Sequence, residues 1–313
     1  MKASVLLPSY RYRLSGLYVS SEVALPARRE ADTVGDVPVD VAFRVGHVPE
    51  QLDHPTHRGP NWMADDRRFL LDLPDIGRFL CEDGRRVTIC PAPGMPLDDI
   101  LVFVTGTAFA AILYQRGGLL LHASAVICAG RAYLFCGPSG AGKSTLAAAL
   151  SRAGCRVLSD DVCAVEGDGG GAPMILSDGR ALRLYADSIG QVGLADAVGD
   201  RVRRRIEKFH VIPPQPDPAP EAVPLAAVYM LADANAAFPS GIDRSPVLEA
   251  AQSLLHHTYR RRIALAYCGH GMLAMRTASL LSHVPVFHLR RPRDFARLEE
   301  TVGRIRSHLD GLA

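Results

Sequence analysis

Hydrophobic and polar positions change rhythm about a third of the way along the chain. Up to residue 97 the apolar residues come in short β-type runs: Gly16-Leu17-Tyr18-Val19, Val39-Asp40-Val41-Ala42-Phe43-Arg44-Val45 and Arg86-Val87-Thr88-Ile89-Cys90. Pro, Gly and Asp turns separate them, which predicts a small sheet-rich N-terminal domain over residues 1–97. Trp62, the sole tryptophan, is expected to pack in or beside it. From Asp98 to about Gln115 the apolar positions become nearly continuous, Ile100 to Val104 and Ala108 to Leu113. That stretch predicts a buried helix at the junction with a second domain, residues 98–313.

The second part reads as α/β. Leu119 to Cys128 predicts a strand, with His122 near the end of it before the Ala129-Gly130 turn, and Arg131 to Cys136 predicts the returning strand. Leu146-Ala147-Ala148-Ala149-Leu150 is a strong helix former that Gly154 closes, and Cys155 to Ser159 is a short strand ending at Asp160-Asp161. Gly167 to Gly171 reads as a flexible turn, and residues 213–224, with six prolines, as an extended surface segment. The last third alternates helix-like stretches (248–262, 293–309) with β-type runs (225–231, 284–290), and no repeat of period 20 to 50 is visible.

Composition narrows the partners. With 48% hydrophobic and 22% charged residues the chain is ordinary for a globular protein, and a net charge of +2 gives no field that would make nucleic acid a partner. Its seven cysteines are scattered, odd in number and free of C-x-x-C pairs. That argues against a disulfide framework and a zinc site and for thiols in a reducing cytosol. The apolar run at the N-terminus is too short for a signal peptide, and no uninterrupted apolar stretch approaches ~18 residues. A soluble, cytoplasmic protein without a membrane partner is expected; a homo-oligomer is compatible with the composition.

The chemistry concentrates at residues 137–145. Gly137-Pro138-Ser139-Gly140-Ala141-Gly142-Lys143-Ser144-Thr145 matches G-x-x-x-x-G-K-[ST], a loop whose backbone N–H groups curl around phosphate oxygens at a helix N-terminus. A β-rich run before it and a helix former after it supply the strand–loop–helix context that this motif requires. Lys143 is expected to reach the β- and γ-phosphates, and Ser144 to ligate Mg²⁺. Asp160-Asp161 stands at the C-terminal end of the next strand, where open α/β sheets bind ligands. One carboxylate there would hold Mg²⁺ and the other would face an acceptor hydroxyl, unless the pair is a plain solvated turn.

Other candidates carry weaker signals. His122, on an apolar strand, is either a hydrogen-bonded core residue or a proton carrier. Arg201, Arg203, Arg204, Arg205 and Lys208 form either a solvated helix face or a site for a phosphate or an acidic peptide. His256-His257 and Arg260-Arg261-Arg262 read as one amphipathic helix or as an approach to the nucleotide.

Leu121-His122-Ala123-Ser124-Ala125-Val126, the loop at 137–145 and Leu158-Ser159-Asp160-Asp161 together resemble the catalytic core of the HPr kinase/phosphorylase family. The resemblance implies a P-loop kinase core related to ATP-dependent phosphoenolpyruvate carboxykinase, with the smaller N-terminal domain as an addition that could recognise substrate. It implies ATP and Mg²⁺ as cofactors. His122 and Asp161 would line the transfer site, with Asp161 as base toward a serine hydroxyl and Asp160 and Ser144 near the metal. Tyr18 to Pro26, Gln115 to Gly118 and Glu207-Lys208-Phe209 look like segments of HPr kinase-like proteins encoded with lasso peptide and other ribosomal peptide pathways, some of which phosphorylate a precursor serine. Lys208 and Arg183 are then expected near a peptide or protein acceptor. The Leu-Glu-x-Arg-Gly segment of bifunctional HPr kinases is missing, since residues 178–185 read Asp-Gly-Arg-Ala-Leu-Arg-Leu-Tyr. Reverse phosphorylase activity and HPr as substrate are therefore not implied. Two rivals stand beside this reading: a nucleotide-gated regulatory protein without transfer, and a small-molecule kinase acting on a sugar or nucleotide.

Overall fold

The computed structural model describes residues 9–30, 37–167, 171–203, 206–214 and 220–312. Its architecture is mixed α/β, built on several sheets. The N-terminal β-type runs fold into β1 (Tyr10–Leu14), β2 (Leu17–Ser21), β3 (Val41–Val45), β4 (His57–Gly59), β5 (Trp62–Ala64), β6 (Arg68–Leu73), β7 (Gly77–Glu82) and β8 (Arg86–Pro91). They form one sheet in the order β1-β2-β3-β8-β7-β6-β5-β4. Alternation along β8 buries Val87 and Ile89 against Phe43, Phe69 and Phe79, and Trp62 stacks on Phe69 with ring centroids 5.7 Å apart.

The expected buried helix is present as α1 (Leu97–Phe103) and α2 (Phe109–Gln115), joined by a π-helical turn over Val104–Ala108. This run is long and apolar enough to cross a membrane, with a hydropathy of 1.6, but 72% of its most apolar window is buried inside the molecule. Phe109 and Ile112 share one buried core with residues of the first sheet and with Leu120, Val162 and Tyr259.

The remaining strands place the glycine-rich loop. β9 (Leu119–Leu121), β10 (Ala123–Cys128), β11 (Arg131–Cys136), β12 (Arg156–Asp160), β13 (Cys163–Glu166) and β14 (Met174–Leu176) share a nine-stranded sheet with three later strands. A separate three-stranded sheet holds β15 (Leu182–Tyr185), β16 (Val198–Arg203) and β17 (Ile206–Val211). The larger sheet is completed by β18 (Ala222–Asp233), β19 (Gly241–Arg244) and β20 (Val286–Arg291). β10 lies between β11 and β12, antiparallel to both, and β18 runs parallel to β11 and β20. The C-terminal ends of β11 and β12 therefore lie at the same edge of the sheet, on either side of the start of β10. Helices α3 (Lys143–Arg152), α4 (Ala186–Val192), α5 (Val247–His256), α6 (Arg261–His283) and α7 (Leu298–Asp310) complete the fold.

Four expectations need correction. The single strand over Leu119 to Cys128 is broken at His122, because the N–H of His122 donates to His257 O (2.8 Å) and the chain leaves β9 there to begin β10. His122 thus precedes the hairpin strand instead of ending it. The basic cluster is not a helix face: Arg201, Arg203 and Lys208 lie on the antiparallel pair β16 and β17, in which Ile206, Phe209 and Val211 supply β-type positions. Arg204 and Arg205 lie outside the described residues, as do residues 168–170 of the glycine turn and 215–219 of the proline segment.

The long helix α6 is a surplus over the expected 248–262 stretch, which instead splits into α5 and the start of α6. Gly269, at φ 68° and ψ 172°, interrupts its helical backbone. Finally, Cys128 and Cys155 are joined by a disulfide, with Cα atoms 4.8 Å apart. Antiparallel pairing of Ile127 with Arg156 brings the next position on one strand opposite the previous one on the other, a long-range fact that cysteine counting cannot supply. The cysteine argument for a reducing compartment loses its premise. The remaining five cysteines are free.

Candidate active site

β11 is buried from Ala132 to Cys136 and delivers the chain into the loop over residues 137–142. Gly140 (φ +79°) and Gly142 (φ +80°) take left-handed conformations that a side chain disfavours, and α3 begins immediately after at Lys143 with no side-chain cap. Its first N–H groups are therefore open to an anion. Lys143 Nζ donates to the carbonyls of Gly137 (2.8 Å) and Pro138 (3.1 Å), folded back on its own loop. Burial lowers the Lys143 pKa, while Asp160 and Asp161 act to raise it.

Arg291, at the end of β20, braces this loop. Its Nη2 donates to Ala141 O (2.7 Å) and stands 2.6 Å from where a Cβ on Gly142 would be.

The two adjacent aspartates are held in different ways. Asp160 is buried at the end of β12; its Oδ1 accepts from Ser124 Oγ (2.5 Å) and Ser144 Oγ (2.9 Å), and its Oδ2 from the Arg183 N–H (3.2 Å). Asp161 adopts φ +68° and turns the other way, pairing with Arg183 Nη2 at 2.9 Å, with His122 Nε2 4.0 Å off. Burial pushes the Asp161 pKa up, but the positive charges of Arg183, of His122 when it is protonated, of Arg180 and of Lys208 outweigh it and leave it below the ordinary aspartate value. His122 is shifted down, first by burial and then by Lys143, so its ring is neutral near pH 7. The ring stacks on Tyr259.

The three-stranded sheet forms the opposite wall. Register pairs Arg183 with His210 and Tyr185 with Lys208, so all four share one face. Lys208 Nζ lies 5.2 Å from the Tyr185 ring centroid. Burial holds the His210 pKa down at about 4, with Arg183 adding to the shift. His257, expected on a plain amphipathic helix, instead follows α5 and gives its carbonyl to His122; its pKa is also about 4, through burial and then His256, Lys143 and His122.

One cleft of about 280 Å³ gathers Ser139 to Thr145, His122, Asp160, Asp161, Arg183 and Lys208. Every residue named from the sequence as catalytic, metal-binding or substrate-facing thus falls in or beside one space. Gly137 and Pro138, also expected to bind nucleotide, contribute carbonyls to Lys143 and do not line it. Sequence reading missed Ser124, the partner of Asp160, and the far end of the cleft: Arg291, Arg293, Asp294, Phe295 and Leu298. The basic run Arg290-Arg291 after a β-type stretch was the only local signal for the latter.

Among the described residues no group of three or more His, Cys, Asp or Glu could hold a metal ion. The oxygen donors of Asp160 and Ser144, 2.9 Å apart, nevertheless suit Mg²⁺, which takes one or two protein oxygens and completes its shell with water and phosphate.

No family model matches the sequence, and no curated protein matches it. Among solved structures the chain is similar to the HPr(Ser) kinase/phosphatase from Coxiella burnetii, at 14% identity over 62% of this chain and 97% of that chain, with a TM-score of 0.31. A likeness that low carries no weight for substrate or mechanism.

Proposed function

We propose that this chain is an Mg²⁺/ATP-dependent phosphotransferase that acts on a serine hydroxyl of a peptide or protein. One observation carries the reading: a glycine-rich loop with its lysine opens onto a cleft in which one of two adjacent carboxylates is fastened to the loop serine and the other faces a basic wall. Nucleotide triphosphate chemistry needs both, a place for the metal-bound phosphates and a place for the incoming hydroxyl.

In this reading the N–H groups of the loop and of the first turn of α3 hold the phosphates. Lys143 exchanges its carbonyl partners for phosphate oxygens, and Asp160 and Ser144 would hold Mg²⁺, which supplies charge neutralisation when bound. Asp161 is ionised at neutral pH and accepts the hydrogen bond of the serine hydroxyl. As the serine oxygen bonds to the γ-phosphorus, the bond from phosphorus to the ADP oxygen breaks and the hydroxyl proton passes to Asp161. A carboxylate held below its ordinary pKa is a weak base, which suits a loose transfer in which positioning matters more than proton abstraction. His122 and Arg183 aim Asp161, while Lys208 and Arg183 lie where the acceptor enters.

The resemblance to kinases of ribosomal peptide pathways makes a precursor peptide, lasso precursors included, the first acceptor to try. The N-terminal domain, residues 1–97, would recognise it. Incubation with Mg·ATP and a panel of serine peptides, HPr, sugars and nucleosides, read by mass spectrometry, tests the proposal. A phosphate on a serine peptide supports it; a phosphate on a small metabolite alone overturns the acceptor class. Tight ATP binding with no transfer to any acceptor would instead leave a nucleotide-gated binding protein.

A further inference from the structure

Arg180 shapes the cleft without lining it. Its side chain is 4% exposed, and each of its three nitrogens donates a hydrogen bond. Nε donates to both oxygens of Asp178 (2.8 and 2.9 Å), Nη1 to Thr105 O (2.7 Å) and Nη2 to Val162 O (2.9 Å). Asp178 also accepts from Ser15 Oγ at 2.8 Å. Thr105 lies in the π-helical turn between α1 and α2, Ser15 in the turn between β1 and β2, and Val162 directly after Asp161. One guanidinium therefore ties the N-terminal sheet, the buried helix and the aspartate turn together. Backbone bonds repeat the connection: Gly16 N donates to Ser177 O (3.0 Å), Gly179 N to Arg13 O (3.1 Å) and Asp178 N to Leu158 O (2.9 Å).

The turn needs such a hold. Asp161 sits in the left-handed region, which a non-glycine residue keeps only where its surroundings enforce it. Within the turn Val162 N donates to Asp160 O (2.9 Å) and Ser159 Oγ to Val162 O (2.8 Å). Arg180 adds a charged donor to that same Val162 carbonyl. A buried ion pair contributes little net stability compared with an apolar pair of the same volume, so stability alone does not account for one placed here.

We propose that Arg180 is a positioning residue for Asp161, holding the 160–162 turn against the N-terminal sheet so that the aim of the accepting carboxylate depends on Ser15 through Asp178. The proposal rests on the phosphotransferase reading for the role of Asp161. It gives the N-terminal sheet a direct line to the reacting group, beyond any part in acceptor recognition. Asp161 is faced by Arg183 from β15, Lys208 from β17, His122 from the break before β10, Asp160 from the end of β12 and Tyr259 from the segment before α6; Arg180 adds its charge to theirs.

The test uses the full chain as wild type, Arg180→Lys, Ser15→Ala and the double variant Asp178→Asn/Arg180→Met, which removes both buried charges together so that neither is stranded. Hydrogen exchange of the segment 156–166, read by mass spectrometry without nucleotide or acceptor, does not depend on transfer. It should rise about tenfold in Arg180→Lys and in the double variant, and less in Ser15→Ala, with affinity for a non-hydrolysable ATP analogue changed under threefold. With a phosphorylatable peptide, Arg180→Lys should lower kcat about 100-fold and change the acceptor KM under threefold. Unchanged exchange in segment 156–166 overturns the proposal. So does a kcat for Arg180→Lys that falls only with the folded fraction, counted by nucleotide binding. A wild type that phosphorylates no acceptor defeats the phosphotransferase reading, and the exchange data then decide the structural half of the inference alone.

Discussion

Replacing Gly142 by alanine separates two costs that the loop combines. At φ +80° an alanine suffers the left-handed strain of about 1 kcal/mol, offset by roughly 0.5 kcal/mol because alanine restricts the unfolded chain more than glycine does. The new Cβ would also stand 2.6 Å from Arg291 Nη2, which has little room to retreat because Arg291 is 9% exposed and bonded to Ala141 O. Loss of that charged hydrogen bond costs about 1.5–3 kcal/mol, for a net destabilisation of about 2–3.5 kcal/mol. Gly140 is the internal control, since it has nearly the same φ, +79°, but nothing within 4 Å of its added Cβ. Gly140→Ala should cost only about 0.5 kcal/mol.

Urea unfolding followed by circular dichroism, run on both variants alone and in an Arg291→Ala background, measures the difference. Gly142→Ala should be about 2 kcal/mol worse than Gly140→Ala in the native background and equal to it once Arg291 is gone. Equal costs in the native background, or a Gly142→Ala penalty that survives removal of Arg291, would refute the bracing role of Arg291.

Three further outcomes follow from the same geometry. Lys143→Ala should weaken binding of Mg·ATP analogues at least ~10-fold by calorimetry, because a charge-assisted contact to phosphate is lost; unchanged affinity would remove the loop lysine from the account. Stability should fall between about pH 6.5 and pH 4, because the unfolded chain takes up protons on His210 and His257 over that range while the folded chain, with both pKa values at about 4, does not. Allowing for partial exposure, each contributes about 1–2 kcal/mol by pH 4, and His210→Asn should flatten the urea-midpoint-against-pH curve; an unaltered slope counts against the burial argument. Non-reducing peptide mapping should recover the Cys128–Cys155 link, and Cys155→Ser should lower stability by about 3 kcal/mol under oxidising conditions and hardly at all in reductant.

Local chemistry made much of the site legible. The glycines and lysine of the loop, the adjacent aspartates and the flanking strands are each encoded within a few residues, and the chain brings them together where strand ends meet. His122 was nameable, but its place was not: the break after β9 depends on a backbone bond from a segment more than 130 residues away, at His257. Lys208 lay in a run of charges that looks helical until β15 arrives to pair with it, because strand pairing is nonlocal while charge density is not. Ser124 is a small residue inside an apolar strand, and only the neighbouring β12 shows that its hydroxyl fastens Asp160. The length of α6 was not legible because Gly269 breaks the helical backbone in its middle, so that two helical stretches follow one another across a kink.

The central claim is that Asp161 meets the acceptor while Asp160 belongs to the phosphate side. Asp161→Asn keeps the shape of the side chain but cannot take up the hydroxyl proton, and Asp160→Asn weakens the oxygen set shared with Ser144. Nucleotide affinity by calorimetry and phosphate transfer by mass spectrometry should be measured on both variants with the same peptide. Asp161→Asn should bind the Mg·ATP analogue within about threefold of wild type and lose transfer by about 100-fold or more, whereas Asp160→Asn should lose the Mg²⁺ dependence of binding. Asp161→Asn turning over like the wild type, or the two phenotypes exchanged between the residues, would contradict the account.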